Sequence, residues 1–260
     1  MARSSSALRS SSVPAESHGR DRLIVGLDVD AVAAAETAIR RLGDAVGFYK
    51  IGKQLFVHAG PAVVRMVQAG GADVFLDLKF HDIPNTVAAA GIEAARLGVR
   101  MFNVHASGGL AMMERTVKDV TRVCRAERLR RPKILGVTVL TSLETADLQK
   151  VGVARAADEQ VVRLARLAKR AGLDGVVASP REIAAVRRAC GRDFLIVTPG
   201  VRPAGADLHD QKRVLTPGAA VAAGADYVVV SRPVLAAADP AAAARDIIAD
   251  ITRGAAKRRR

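Results

Sequence analysis

From Arg22 onward, short apolar runs alternate with longer stretches in which apolar residues recur every three or four positions. The short runs are Leu23–Leu27, Gly47–Ile51, Val74–Leu78, Arg100–His105, Lys133–Leu140, Asp174–Ala178, Phe194–Thr198 and Asp226–Val230. They are nearly continuous in hydrophobicity, as expected of parallel strands buried on both faces. The stretches between them read as amphipathic helices. Val32, Ala35, Ile39 and Leu42 share one helical face. Val57–Ala69 reads as a helix with Pro61 in its first turn, and another helix begins near Pro84. Proline is tolerated there because first-turn N–H groups have no intrahelical partner. Further helices are predicted over Leu110–Glu127 and Ala156–Ala171, from Pro180 to Gly191, and after the Thr216-Pro217 cap. A last helix starts at Asp239-Pro240 with Ile247, Ile248 and Ile251 inward.

Eight strands alternating with helical segments predict an α/β chain folded as a (β/α)8 TIM barrel, for which about 250 residues is typical. An open doubly wound sheet is the alternative. No G-x-G-x-x-G or P-loop run follows a strand, so nothing supports a Rossmann or P-loop site. Residues 1–20 are rich in Ser and Arg and lack hydrophobic periodicity, which predicts a disordered tail. Their composition also resembles an organellar transit peptide, although no apolar helical face is present, and a downstream translation start is a further reading. The barrel domain is expected over residues 21–253, with a frayed basic tail over 254–260.

Half of the 260 residues are apolar and 25% are charged, as in soluble globular proteins. No apolar run is long enough to span a bilayer. Cys124 and Cys190 are too few for a disulfide framework and belong to no zinc-ligand spacing, so a reducing cytoplasm is the expected setting. The formal charge of +14 raises the possibility of a nucleic-acid binder. Half of that excess lies at the ends, net +2 in residues 1–20 and net +5 in residues 253–260. With 3% aromatic residues and no Trp, base-stacking platforms are not expected.

Barrel chemistry gathers at the C-terminal strand ends. Polar residues recur there: Asp28, Lys50, Asp77, Lys79, Asn103, His105, Thr141, Ser142, Ser231 and Arg232. Asp77 and Lys79 are two apart in a strand, so their side chains share a face. Taken alone they are either a structural ion pair or a catalytic charge array. Asp82 lies beyond the strand end, where strand geometry no longer aims it inward. The loops after the last two strands carry Arg202, Gln211 and Arg232, a set suited to a phosphate group.

These pieces together resemble the orotidine 5'-phosphate decarboxylase family, in its bacterial branch. The most specific match is Asp77-Leu-Lys-Phe-His-Asp-Ile-Pro-Asn-Thr86, the family's D-x-K-x-x-D-I-P-x-T signature. Leu27-Asp28-Val29, Lys50-Ile-Gly-Lys53, Asn103-Val-His-Ala-Ser-Gly-Gly109, Val139-Leu-Thr-Ser142, Thr198-Pro-Gly-Val-Arg-Pro203, Asp210-Gln-Lys-Arg213 and Arg232-Pro233 support it. The resemblance implies cofactor-independent decarboxylation of orotidine 5'-monophosphate to UMP in pyrimidine biosynthesis, without a metal. It implies that Asp28 and Lys50 hold the ribose, that Lys50 joins the charge array, that Asp77 meets the leaving carboxylate and that Lys79 donates the proton. It further implies a homodimer in which Asp82 and Thr86 reach the partner's site, Thr141 and Ser142 at the pyrimidine, and Arg202, Gln211 and Arg232 at the phosphate. The family usually has Gly where Ser231 stands, which puts the approach of backbone to phosphate in question. Two rivals follow: a Mg-dependent sugar-phosphate decarboxylase or synthase of the same barrel superfamily, and a basic nucleic-acid-binding protein. The first expects Glu on the second strand, where this chain has Lys50. His81 and His105 are read as loop hydrogen-bonders rather than metal ligands.

Overall fold

A computed structural model describes residues 19–203 and 215–258. Eight parallel strands close into a barrel in chain order. The first half runs β1 (Leu23–Gly26), α1 (Val32–Leu42), β2 (Phe48–Gly52), α2 (Lys53–Ala59), α3 (Pro61–Ala69), β3 (Asp73–Phe80), α4 (Pro84–Arg96), β4 (Met101–His105) and α5 (Leu110–Ala126). The second half runs β5 (Lys133–Val137), α6 (Thr145–Lys150), α7 (Ala157–Arg170), β6 (Gly175–Val177), α8 (Ile183–Cys190), β7 (Leu195–Pro199), α9 (Pro217–Ala223), β8 (Tyr227–Val230), α10 (Arg232–Leu235) and α11 (Pro240–Arg258). This is the predicted (β/α)8 architecture, and the doubly wound alternative falls because β8 pairs back onto β1.

The two faces of each strand supply two cores. Ile24, Phe48, Phe75, Met101, Leu135, Val197 and Val229 fill the barrel interior. Their neighbours one residue along, such as Val25, Tyr49, Val74, Leu76 and Phe102, pack against the helices. Because side chains alternate, every second residue beyond the interior plug lies on the inward row. Counting from Ile24, Phe48, Phe75 and Met101, those rows reach Asp28, Lys50, Asp77 and Asn103 at the C-terminal mouth.

Several local boundaries differ from expectation. The helix predicted over Val57–Ala69 is two helices, broken at Gly60, whose φ of 60° is readily adopted only by glycine. The helix expected from Pro180 begins at Ile183, and Glu182 instead accepts the Ser179 N–H at 2.7 Å. Of the N-terminal tail, residues 1–18 lie outside the described residues. Gly19 and Arg20 are helical, and Gly19 is buried against Ile248 and Thr252 of α11.

The tail expected over 254–260 is corrected over residues 254–258, and residues 259 and 260 lie outside the described residues. α11 continues to Arg258 because its far end is held by the barrel floor. Gly254 packs against the backbone of Gly218, where no Cβ fits. The Arg258 guanidinium donates to the Ala225 carbonyl and to Asp226 Oδ1, both at 3.0 Å. Asp226 also takes Arg187 at 2.7 Å and the Ile196 N–H at 2.9 Å. Asp73 and Asp174 stand at the foot of β3 and just before β6 and gather Arg100, Arg130, Arg131 and Lys133 in the same manner. Asp226→Ala is therefore expected to lower stability by roughly 3 kcal/mol, since it removes the carboxylate that pairs two largely buried guanidinium groups. Chemical unfolding measures this, and a change below about 0.5 kcal/mol, as at ordinary surface sites, would contradict it.

Candidate active site

The sequence order Asp28, Lys50, Asp77, Lys79 becomes a spatial alternation of charge. Lys50 Nζ lies 2.9 Å from Asp28 Oδ1 and 3.5 Å from Asp77 Oδ2. Lys79 Nζ lies 2.6 Å from Asp77 Oδ1. Three adjacent strand ends thus place two ammonium groups and two carboxylates in one row. Asp77 is buried, Lys50 and Lys79 are half-buried, and Asp28 is exposed at the mouth. Burial would raise the Asp28 carboxyl. The Lys50 ammonium and its hydrogen bond, the Ser231 hydroxyl and the Lys79 charge outweigh that and hold it below its ordinary value.

Simple strand alternation does not account for Lys79. The β3–β4 register shifts between Leu76 and Phe80, and Lys79 has a φ of 54°. A non-glycine residue in the left-handed region costs on the order of 1 kcal/mol or more and persists where surroundings hold it. Asn103 does so. Its Oδ1 accepts the Lys79 N–H at 2.8 Å, and its Nδ2 donates to Asp77 Oδ1 at 2.7 Å.

Two cavities flank this row and share Lys50, Asp77 and Lys79 as their common wall. One, of about 260 Å³, is lined by Phe75, Val137, Val139, Val177, Val229 and Thr141, among others. Its apolar walls suit a flat heterocycle, with the Lys79 ammonium at one edge. The other, of about 180 Å³, includes Asp28, Gly52, Lys53 and Gln54, a polar surface suited to hydroxyl groups. A charged row between an apolar and a polar chamber can stabilise negative charge developing on a ligand in the first while the second holds hydroxyl groups.

The remaining expected site residues divide into groups. Thr141 lines the apolar cavity, whereas Ser142 is exposed in the adjoining turn. Asp82 does not join the charge row of its own chain: its exposed carboxylate accepts the Ile83 N–H at 2.6 Å. Thr86 is exposed in the first turn of α4. Arg202 follows β7 and Arg232 opens α10 after β8, so both lie in one sector of the rim. The Arg202 N–H donates to the Leu215 carbonyl at 3.2 Å. Gln211 lies outside the described residues. Ser231 has a φ of −126°, outside the left-handed region that favours glycine, and its hydroxyl donates to the Gly26 carbonyl at 2.9 Å. His105 is half-buried with its ring 5.4 Å from that of His81. Burial, His81, Lys53 and Lys79 hold it below the ordinary imidazole value.

Asn103 and Lys53 are the residues that assignment of roles from sequence passed over. Asn103 was legible as a polar residue inside an apolar strand, on the same inward row as Met101. Lys53 sits at the head of α2, just past a strand whose own lysine is the more conspicuous.

Residues 21–247 match the profile of the orotidine 5'-phosphate decarboxylase / HUMPS family. The chain is 58% identical over 232 residues to an orotidine 5'-phosphate decarboxylase of Syntrophotalea carbinolica, covering 89% of this chain and 95% of that one. It is 56% identical over 235 residues to one of Geobacter sulfurreducens, covering 90% and 98%. The crystal structure of orotidine 5'-phosphate decarboxylase from Lactobacillus acidophilus superposes with a TM-score of 0.78 at 38% identity, over 88% of this chain and 97% of that one. On the strength of the fold, the charge row and these relatives, the chain belongs to the orotidine 5'-phosphate decarboxylase / HUMPS family.

Proposed function

We propose that this chain decarboxylates orotidine 5'-monophosphate to UMP, a step of pyrimidine biosynthesis. The observation that carries the reading is the Asp28–Lys50–Asp77–Lys79 row on the wall between an apolar and a polar cavity. The pyrimidine enters the apolar chamber beside Thr141 and Ser142. The ribose hydroxyls meet Asp28 and Lys50 in the polar one. The phosphate reaches the rim sector of Arg202 and Arg232, with the Ser231 N–H beside it, and Gln211 is the further phosphate ligand that the family motif implies.

In the chemical step the bond from C6 to the carboxylate breaks, CO2 leaves, and the electron pair stays on C6. No neighbouring carbonyl absorbs that charge, so the fixed Lys79 ammonium is the main source of stabilisation. It then gives its proton to C6, forming the C6–H bond of UMP, and is reprotonated from water. Asp77 holds that ammonium in place before reaction, which limits reorganisation. The scheme needs no metal or cofactor. Between Asp28 and Asp77 lies the Lys50 ammonium, a poor neighbour for a Mg²⁺ ion.

The working unit in this reading is a homodimer in which Asp82 and Thr86 complete the partner's site. Six consecutive exposed residues, His81 to Thr86, support it, and they include an Ile83 that is 66% exposed. A large apolar side chain between site residues is suited to burial by a second subunit. Buried, unbridged Cys124 and Cys190 are compatible with the cytoplasm.

A thermal-shift titration tests the ligand class. UMP at 100 times its Kd is expected to add about 2.7 kcal/mol of stability. Arg232→Ala is expected to lose most of that shift at the same concentration. A chain that ignores UMP but is stabilised by simple sugar phosphates would favour the Mg-dependent rival.

A further inference from the structure

We propose that Asn103 is a positioning residue for this reaction, one that sets the direction of the Lys79 ammonium and the rotation of the Asp77 carboxylate. The inference rests on the roles proposed above for Lys79 and Asp77. Asn103 lies on the inward row of β4, below the charge row, and has no exposed surface. A buried amide has to satisfy both of its ends. Here one end meets a backbone donor and the other a carboxylate, so its orientation is chemically determined: the oxygen faces the Lys79 N–H and the nitrogen faces Asp77.

Each of the two bonds has a distinct consequence. The β3–β4 pairing skips between Leu76 and Phe80, so regular ladder bonding is interrupted where Lys79 sits. Asn103 Oδ1 takes that N–H in place of a strand carbonyl and retains Lys79 at its positive φ. That backbone turn directs the side chain onto Asp77. The second bond gives Asp77 Oδ1 two donors, Asn103 Nδ2 at 2.7 Å and Lys79 Nζ at 2.6 Å. Oδ2 is left for Lys50 at 3.5 Å. One side chain thereby decides which carboxylate oxygen serves which lysine, and it does so without lining either cavity.

The test uses Asn103→Asp and Asn103→Ala in the full-length protein. The carboxylate introduced by Asn103→Asp still accepts the Lys79 N–H, but it presents an acceptor to Asp77 until it binds a proton. At pH 8 both variants are expected to lose roughly 10²-fold or more in kcat, the effect of misplacing a reacting group by about 1 Å. Their UMP affinity should stay within about threefold, since both cavities remain formed and Asn103 touches neither. The ratio of Asn103→Asp to wild-type kcat should rise as pH falls, because protonation of the introduced carboxylate restores the missing donor, whereas Asn103→Ala should show no such rise. A crystal structure of Asn103→Ala should show Lys79 leaving the left-handed region. Wild-type kcat in both variants, a change confined to KM, or a Lys79 backbone unchanged without the amide would overturn the proposal. If the wild-type protein itself fails to turn over orotidine 5'-monophosphate, the functional reading falls, and the Lys79 backbone angle still decides the positioning claim.

Discussion

Lys79→Ala is expected to cut decarboxylation by roughly 10⁴-fold or more while leaving the barrel folded. Two contributions disappear together: a fixed charge facing C6, typically about 10²–10³-fold, and a positioned proton donor, typically about 10²–10⁴-fold. The fold should tolerate the change. Asp77 keeps Asn103 and Lys50 as partners, and alanine meets the same backbone strain at this position that lysine does. UMP should still bind, because the phosphate and ribose contacts lie on other strands. Unchanged far-ultraviolet circular dichroism, retained UMP binding and absent turnover form the expected combination. A variant with near-normal turnover would end the proposed role of this lysine.

Asp82→Ala is expected to be nearly as damaging, by roughly 10²-fold or more, although its carboxylate lies outside its own chain's charge row. Mixing the two inactive variants should then restore activity. In a dimer of one Lys79→Ala and one Asp82→Ala subunit, one site lacks both groups and the other has both. Random exchange between two-fold dimers makes about half of them mixed, so about a quarter of wild-type activity is expected at equal subunit concentrations. Each variant alone stays inactive at the same total concentration. Failure to recover activity, with subunit exchange verified independently, would mean that Asp82 does not act across chains.

Much of this molecule was legible because its rules are local. Strand order and barrel closure follow from apolar runs alternating with amphipathic stretches. The inward rows follow from a period of two, which carries Phe48 to Lys50 and Phe75 to Asp77 without tertiary knowledge. What escaped depended on partners distant in sequence. The run around Arg258 looks like a solvated tail until Asp226, 32 residues earlier, is seen to receive it. The backbone at Lys79 looks like ordinary strand until Asn103, 24 residues later, is seen to take its N–H. The helix break at Gly60 had a visible signal in Gly60-Pro61, outweighed by continuous apolar periodicity on both sides. Ser231 raised a question about backbone angle that only the observed φ answers.

The most direct measurement follows the carboxylate itself. Purified wild-type protein, stripped of metal with EDTA, is given orotidine 5'-monophosphate labelled with ¹³C in the carboxylate. One labelled CO2 should be released for each UMP formed, at a rate that added Mg²⁺ does not change. Absence of UMP, or turnover that disappears with EDTA and returns with Mg²⁺, would contradict metal-free decarboxylation at the Asp28–Lys50–Asp77–Lys79 row.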